Sequence, residues 1–328
     1  MKKLYISIGL IVVVLSAFFF IDMYVNKGGK DFPQGEISVS SNFQDFPLQE
    51  SVKANIDLDL LVGGGPDRDD IPAINNPKFY SIPETLLKDK DLGVLVNFND
   101  EQKYYPYELM VWHEIVNDSI GEIDYAVTFC PLCGASVVFN RKVNGELLDF
   151  GVSGFLFESN LVMYDQQTES FWSQVRGDSI VGDYVGTKLE VLPMQLISFA
   201  ELKEKYPKAK ILNKDTGFKR DYGINPYASY EQNDKLYKEV SNFDDRYPLK
   251  EVMYVVEAGD QNVIFSFMEM EDGRLYEFEL SESEVLSAQK NGEEIITKIN
   301  NKQAPGFYSM WFSWVAHYKD TGRVWGLQ

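Results

Sequence analysis

Cysteine and histidine are almost missing from this chain, with two of each in 328 residues. Two cysteines cannot build a four-thiolate zinc ribbon or a rubredoxin-type iron centre, where knuckles come in pairs because tetrahedral metals take four ligands. Nor can they staple a disulfide-built domain. Basic residues are scarce as well. There are 31 against 50 acidic residues, a formal net charge of −19, which disfavours nucleic acid and anionic membrane surfaces as partners. The acids form no Asp-x-Asp-x-Asp-Gly calcium loop, and no pair of carboxylates stands out among them. The glycine run Gly63-Gly64-Gly65 is not followed by Gly-Lys-Ser/Thr, so a phosphate cradle is weakly indicated. With Pro66 and Arg68 it reads as a loop, or as backbone amides and one guanidinium lining a site. No Ser/His/Asp triad can be argued.

What the chain does have begins at its N-terminus. Lys2 and Lys3 precede an uncharged run from Leu4 to Ile21. Its length lies between a signal h-region and a membrane span. Lys2 and Lys3 would keep the N-terminus cytoplasmic. No Ala-x-Ala cleavage site and no lipoprotein cysteine follow, so residues 1–22 read as a membrane anchor or signal segment and residues 23–58 as a polar tether. The expected location is membrane-anchored, with the bulk of the chain extracytoplasmic. The membrane is then a partner through this segment, and any small-molecule or protein partner is unspecified. Residues 59–328 read as one globular region. At 45% hydrophobic and 14% aromatic residues the chain can bury a large core.

Both cysteines fall in Cys130-Pro131-Leu132-Cys133-Gly134. The Pro and the trailing Gly favour a tight knuckle, and the two sulfurs lie close enough to share a metal or form a disulfide. Ile123–Phe129 and Ala135–Arg141 are rich in strand formers, so the knuckle joins two strands. It does not open a helix, as the reactive pair of a thioredoxin-type oxidoreductase does. In an exported chain, thiols that are neither metallated nor buried are oxidised. The pair is therefore read as a site rather than a staple.

His113, in Trp112-His113-Glu114-Ile115-Val116-Asn117-Asp118, sits at the end of an expected strand over residues 103–111, with a turn at Asn117-Asp118. That path would return Phe129 and Cys130 towards the imidazole. The functional reading makes His113 a third metal ligand or a proton carrier; the plain one makes it a buried histidine bonded to backbone. Met163 is a candidate soft thioether ligand for Cu(I), or a core methionine. His317 lies in an aromatic, strand-like setting that suggests packing.

The fold class expected is α+β, mainly antiparallel β with short helices. Leu92–Phe98 forms a hairpin around Asn99-Asp100. Further strands are expected over residues 146–152 and 160–164, with a hairpin turn at Val143-Asn144-Gly145. Short helices are expected over residues 83–88 and 198–205, the latter capped by Ser198 with Glu201 at the box position. A faint internal echo pairs Tyr308–Ala316 with Tyr125–Cys133, suggesting two related halves, 59–225 and 226–328.

Several of these strings occur together. They are Trp112-His113-Glu114-Ile115-Val116-Asn117-Asp118, Phe129-Cys130-Pro131-Leu132-Cys133-Gly134, Phe150-Gly151-Val152-Ser153-Gly154, Leu161-Val162-Met163-Tyr164-Asp165, Phe171-Trp172-Ser173-Gln174, Asn225-Pro226-Tyr227 and Phe243-Asp244-Asp245-Arg246. Over residues 60 to 328 the chain resembles the bacterial domain-of-unknown-function family 3179. The resemblance implies that His113, Cys130 and Cys133 form one constellation, and it names neither metal nor substrate. Ser153, Trp172 and Gln174 become pocket candidates, with Asn160 and Asp165 nearby.

Three functions follow. The first is an envelope protein binding a soft metal, Cu(I) or Zn(II), through Cys130, Cys133, His113 and Met163. The second is a thiol-dependent or redox enzyme using Cys130 and Cys133 with His113 as acid/base. The third is a non-catalytic binding module in which the knuckle only stabilises a turn.

Overall fold

In this computed structural model, residues 52–325 are described, apart from Asp260 and Thr321. The run Leu4–Ile21 and most of the tether lie outside the described residues. Among the described residues, no helix is long and apolar enough to cross a membrane.

Antiparallel sheets dominate, as the alternating apolar segments require. The central sheet has seven strands, in the order Gly322–Val324, Gln261–Ser266, Val252–Ala258, Gly306–Met310, Ala135–Asn140, Ile123–Cys130 and Ile115–Ile120. Both parts of the chain thus contribute to one sheet, joined where Tyr308 pairs with Ser136. A five-stranded sheet runs from Leu61–Gly63 through Phe150–Phe157, Asn160–Asp165 and Phe171–Ser173 to Ser179–Val181. A second five-stranded sheet contains Leu92–Phe98 and Glu101–Pro106, and a four-stranded one spans residues 275–303.

The main core lies between the central sheet and the Phe150–Phe157 sheet. It holds Cys130, Cys133, Phe139, Phe150, Met163, Trp172, Phe307, Trp311 and Trp314, all buried. Each fully buried large apolar side chain contributes roughly 1.5–3 kcal/mol. This core therefore does not depend on the knuckle for its existence.

Several elements differ from expectation. Residues 103–111 do not form one strand: Glu101–Pro106 is a strand, and Tyr107–His113 is a helix entered at Pro106. Leu109, Met110, Val111 and His113 are its buried residues. Asn117 and Asp118 lie inside the strand Ile115–Ile120, and the chain turns at Gly121 instead. His317 belongs to a helix, Trp311–Tyr318. Tyr308–Ala316 is thus strand then helix, whereas Tyr125–Cys133 is strand then turn. Ser153 and Gly154 sit within the strand Phe150–Phe157, at a register shift, beyond the strand end expected at residue 152. At Gly154 (φ 82°) a side chain would collide with Pro66 O at 2.7 Å. The expected helix over residues 83–88 shrinks to a 3-10 turn, Ile82–Glu84. The helix Phe199–Lys205 has the expected capping box of Ser198 and Glu201.

Candidate functional site

The knuckle closes the hairpin between the strands Ile123–Cys130 and Ala135–Asn140, where Cys130 pairs with Ala135. The Cys133 amide donates to Cys130 O at 3.3 Å, and Gly134 takes φ 58° to re-enter the sheet. A side chain at Gly134 would meet Met310 Cε at 3.2 Å, so glycine serves both the turn and the contact. Met310 is further tied to the knuckle through its amide, which donates to Cys133 O at 2.8 Å.

Both cysteines are buried, at 1% and 0% exposure, and carry no disulfide. Cys133 Sγ lies 3.7 Å from Cys130 O. Burial pushes the Cys130 thiol well above its ordinary range, and the hydrogen bond and charge of Cys133 push it further. Backbone hydrogen bonds involving Leu161 and Cys133 pull the other way. A buried thiol without a cation stays neutral because its thiolate loses hydration.

A buried amide network frames the pair. Asn160 Nδ2 donates to Cys133 Sγ and to Gln174 Oε1, both at 2.9 Å. Asn160 Oδ1 accepts from the Val175 amide at 3.0 Å. Gln174 Nε2 donates to Thr128 Oγ1 at 3.0 Å and to Ala135 O at 3.2 Å. Thr128 Oγ1 in turn donates to Val137 O at 2.8 Å. Gln174 is thus braced between the hairpin and Asn160.

The other sequence candidates are placed differently. His113 is fully buried, with Nδ1 at 2.7 Å from Pro72 O and Nε2 at 2.7 Å from Tyr222 Oη. Both ring nitrogens are engaged, and burial lowers its pKa to about 4. Met163 pairs with Trp172 across strands in the same core as the cysteines. Trp172 is buried edge-on to Phe150, its indole donating to Asp165 at 2.9 Å. Ser153 donates to Val162 O at 2.5 Å and steadies the bulge. Arg68 is spent on Glu169 and the Tyr164 ring. Among the described residues, no group of three or more His, Cys, Asp or Glu side chains is disposed to hold a metal ion.

The residue that the sequence reading passed over is Glu114. It caps the helix Tyr107–His113, and its carbonyl accepts from the Phe129 amide at 2.7 Å, beside Cys130. Its carboxyl accepts from Tyr227 Oη at 3.0 Å. Burial raises its pKa to about 8, and Cys130 contributes to that rise. Tyr230 Oη donates to Leu132 O at 2.7 Å, so two tyrosines of one segment cover the knuckle. Glu114 and Tyr227 both fall inside the recurring strings noted above, the only signal that could have found them.

The site as built holds two buried sulfurs on one turn, with the Asn160 amide donating to the Cys133 sulfur. No curated protein and no solved structure matches the chain. A family model described as "Protein of unknown function (DUF3179)" matches residues 68–305. That match covers most of the chain and takes in the knuckle, Glu114, Asn160, Gln174 and Tyr227, and the chain therefore belongs to the DUF3179 family.

Proposed function

We propose that this is a membrane-tethered dithiol protein that works outside the cytoplasm, with Cys130 and Cys133 cycling between dithiol and disulfide by exchange with a thiol–disulfide partner. The observation that carries the reading is two buried cysteines without a disulfide on one knuckle, Cys133 Sγ lying 3.7 Å from Cys130 O and taking the Asn160 amide at 2.9 Å. Sulfurs three residues apart on one tight turn can exchange two S–H bonds for one S–S bond when a partner disulfide is reduced. The disulfide is uncharged, which suits an apolar interior. Lys2, Lys3 and the uncharged run Leu4–Ile21 support the tether and the extracytoplasmic location.

A soft metal, Cu(I) or Zn(II), would use the same two sulfurs. His113 would complete that site only by giving up Pro72 O or Tyr222 Oη, so the dithiol reading is the better supported. The duplication belongs to the proposal as well. Each half has an antiparallel hairpin, and each has a strand leading into a helix whose last turn carries a histidine.

The test is metal analysis of protein purified without a histidine tag, with thiol counting and intact mass before and after mild oxidation. The expected result is metal-free protein with two thiols, which lose two hydrogens on oxidation and regain them on reduction. Stoichiometric copper or zinc would replace this reading with the metal one. Thiols that never pair would leave the knuckle a structural turn in a binding module.

A further inference from the structure

A strand at the edge of a sheet presents a row of unpaired backbone groups, and proteins keep such edges short or covered. Among the described residues, every sheet edge but two is a strand of four residues or fewer, as at Phe79–Ser81 and Gln195–Ser198. Ile115–Ile120 is one of the two, and the chain covers it. The Ile74 amide donates to Ile115 O at 2.9 Å, and Ile74 O accepts from the Asn117 amide at 2.8 Å. The other is Leu275–Ser281. It has seven residues, ends the four-stranded sheet, and among the described residues pairs only with Glu284–Asn291. Its inner side chains are anchored: Tyr276 lies edge-on to Trp325 with ring centroids 4.8 Å apart, and Arg323 lies over the Phe278 ring. Its outer side chains, Leu275, Glu277 and Glu279, are exposed, Leu275 at 58%. Neither glutamate takes part in an ion pair among the described residues. Residues 269 to 284 hold seven acidic side chains and one basic one, Arg274. Arg274 is spent on Glu271 at 2.6 Å.

We propose that Leu275–Ser281 is a docking edge for an extended segment of a partner protein, one that carries Lys or Arg at alternate positions. The segment adds to the sheet as a further strand. Main-chain hydrogen bonds to the open edge supply affinity that is blind to sequence, and the alternate side chains select the partner. Cationic side chains on one face of the added strand meet Glu277 and Glu279, which lie two residues apart on one side of theirs. The side chains between them extend the face of Tyr276, Phe278 and Leu280, where apolar residues fit. A second copy of this chain fits poorly. Antiparallel pairing of two copies about Phe278 sets Glu277 of one opposite Glu279 of the other, twice, and like charges directly opposite destabilise a sheet. The formal net charge of −19 adds to that repulsion. The same two glutamates therefore reject self-pairing and favour a basic strand. No residue of Leu275–Ser281 belongs to the core around the cysteines, and docking here does not require the dithiol chemistry.

The experiment uses the full chain in a mild non-ionic detergent and two fluorescein-labelled peptides of alternating lysine and valine. The peptides are identical except that one has every backbone nitrogen methylated, which keeps its charge and removes its donors. Binding is read by fluorescence anisotropy, and protection of residues 275–281 by hydrogen exchange. The unmethylated peptide should bind, should slow exchange in that strand, and should weaken at least about tenfold as salt rises from roughly 0.05 to 0.5 M. The methylated peptide should bind at least about tenfold more weakly. Glu277→Lys combined with Glu279→Lys should weaken the unmethylated peptide more than about tenfold, with circular dichroism as the control for folding. Should that variant not fold, Glu277→Gln with Glu279→Gln replaces it and should weaken binding about fivefold. Equal binding of the two peptides, or binding that ignores both glutamates, would show diffuse attraction to an acidic protein and overturns the proposal. Absence of binding overturns it too, as does a dimer in sedimentation whose pairing protects residues 275–281 from exchange.

Discussion

Asn160 Nδ2 splits its two hydrogens between Cys133 Sγ and Gln174 Oε1, each at 2.9 Å, while its Oδ1 holds the Val175 amide. One side chain thus couples a sulfur to the strand beyond it. Asn160→Ala would orphan three buried partners. Losing each costs about 1–3 kcal/mol when left unsatisfied, less whatever water recovers. A stability loss of about 2–4 kcal/mol is expected from denaturant unfolding, together with slower thiolate chemistry at Cys133. A variant with wild-type stability would mean that the amide network is not holding the knuckle.

Three groups shape stability against pH in opposite senses. His113 and His317 are lowered by burial from 6.5 to about 4. The unfolded chain therefore binds more protons between these values, and stability falls as pH drops from 6.5 towards 4. His317 contributes less, because its residue is partly exposed. Glu114 is raised from 4.5 to about 8, so the folded chain holds the extra proton and stability falls as pH rises towards 8. From these three groups the maximum lies near pH 6.5, with a decline of at most about 1.4 kcal/mol per pH unit above it. Melting temperatures of wild type and Glu114→Gln across this range check it. The decline above the maximum should flatten in the variant and persist in wild type.

Cys130→Ser and Cys133→Ser each replace a sulfur in a packed core by a hydroxyl. Burying that group with imperfect partners costs about 1–3 kcal/mol, well within what a core of this size tolerates. Both variants should keep the wild-type circular dichroism spectrum and lose all internal disulfide formation. If either variant alone fails to fold, the knuckle is a structural element first, and its chemistry is secondary.

The strands around the knuckle were legible because Ile123–Cys130 and Ala135–Asn140 carry β-branched and aromatic side chains between clear turn residues. The helix Tyr107–His113 was not. Its Leu109-Met110-Val111-Trp112 core reads equally well as a buried strand, and Pro106 as the helix entry is visible only once Glu101–Pro106 has paired with Leu92–Phe98. A strand ending at His113 would aim the imidazole along the sheet, whereas the helix turns it to Pro72 and Tyr222 and leaves Glu114 beside Phe129 and Cys130. Glu114 itself was one of 50 acidic residues. Its distinction is burial against Tyr227, 113 positions downstream, and periodicity carries no trace of such a contact.

Both sulfurs are buried, so any reagent must reach them through a part of the chain that opens. Residues 213–251 contain one short helix, Ala228–Glu231, and otherwise turns and bends. Tyr227, Tyr230, Leu236, Val240 and Leu249 from this segment nonetheless pack against the cysteine core. Tyr230 is the latch nearest the knuckle. Its hydroxyl is bonded to Leu132 O, and Lys250 Nζ lies 3.4 Å from its ring centroid while donating to Tyr230 O and Asn233 O at 2.6 Å each. A segment with little regular hydrogen bonding opens at lower free energy than the sheets beneath it. Tyr230→Phe loses one hydrogen bond, about 1 kcal/mol, and should speed alkylation of the native thiols by about fivefold. Tyr230→Ala removes the ring as well and should speed it by well over about tenfold. Alkylation rates at several denaturant concentrations separate two routes. Opening of the segment alone gives a rate nearly independent of denaturant, whereas global unfolding gives one that rises steeply. A wild-type rate that follows global unfolding throughout, and that Tyr230→Ala raises only in proportion to its lost stability, would show that this segment is not the way in.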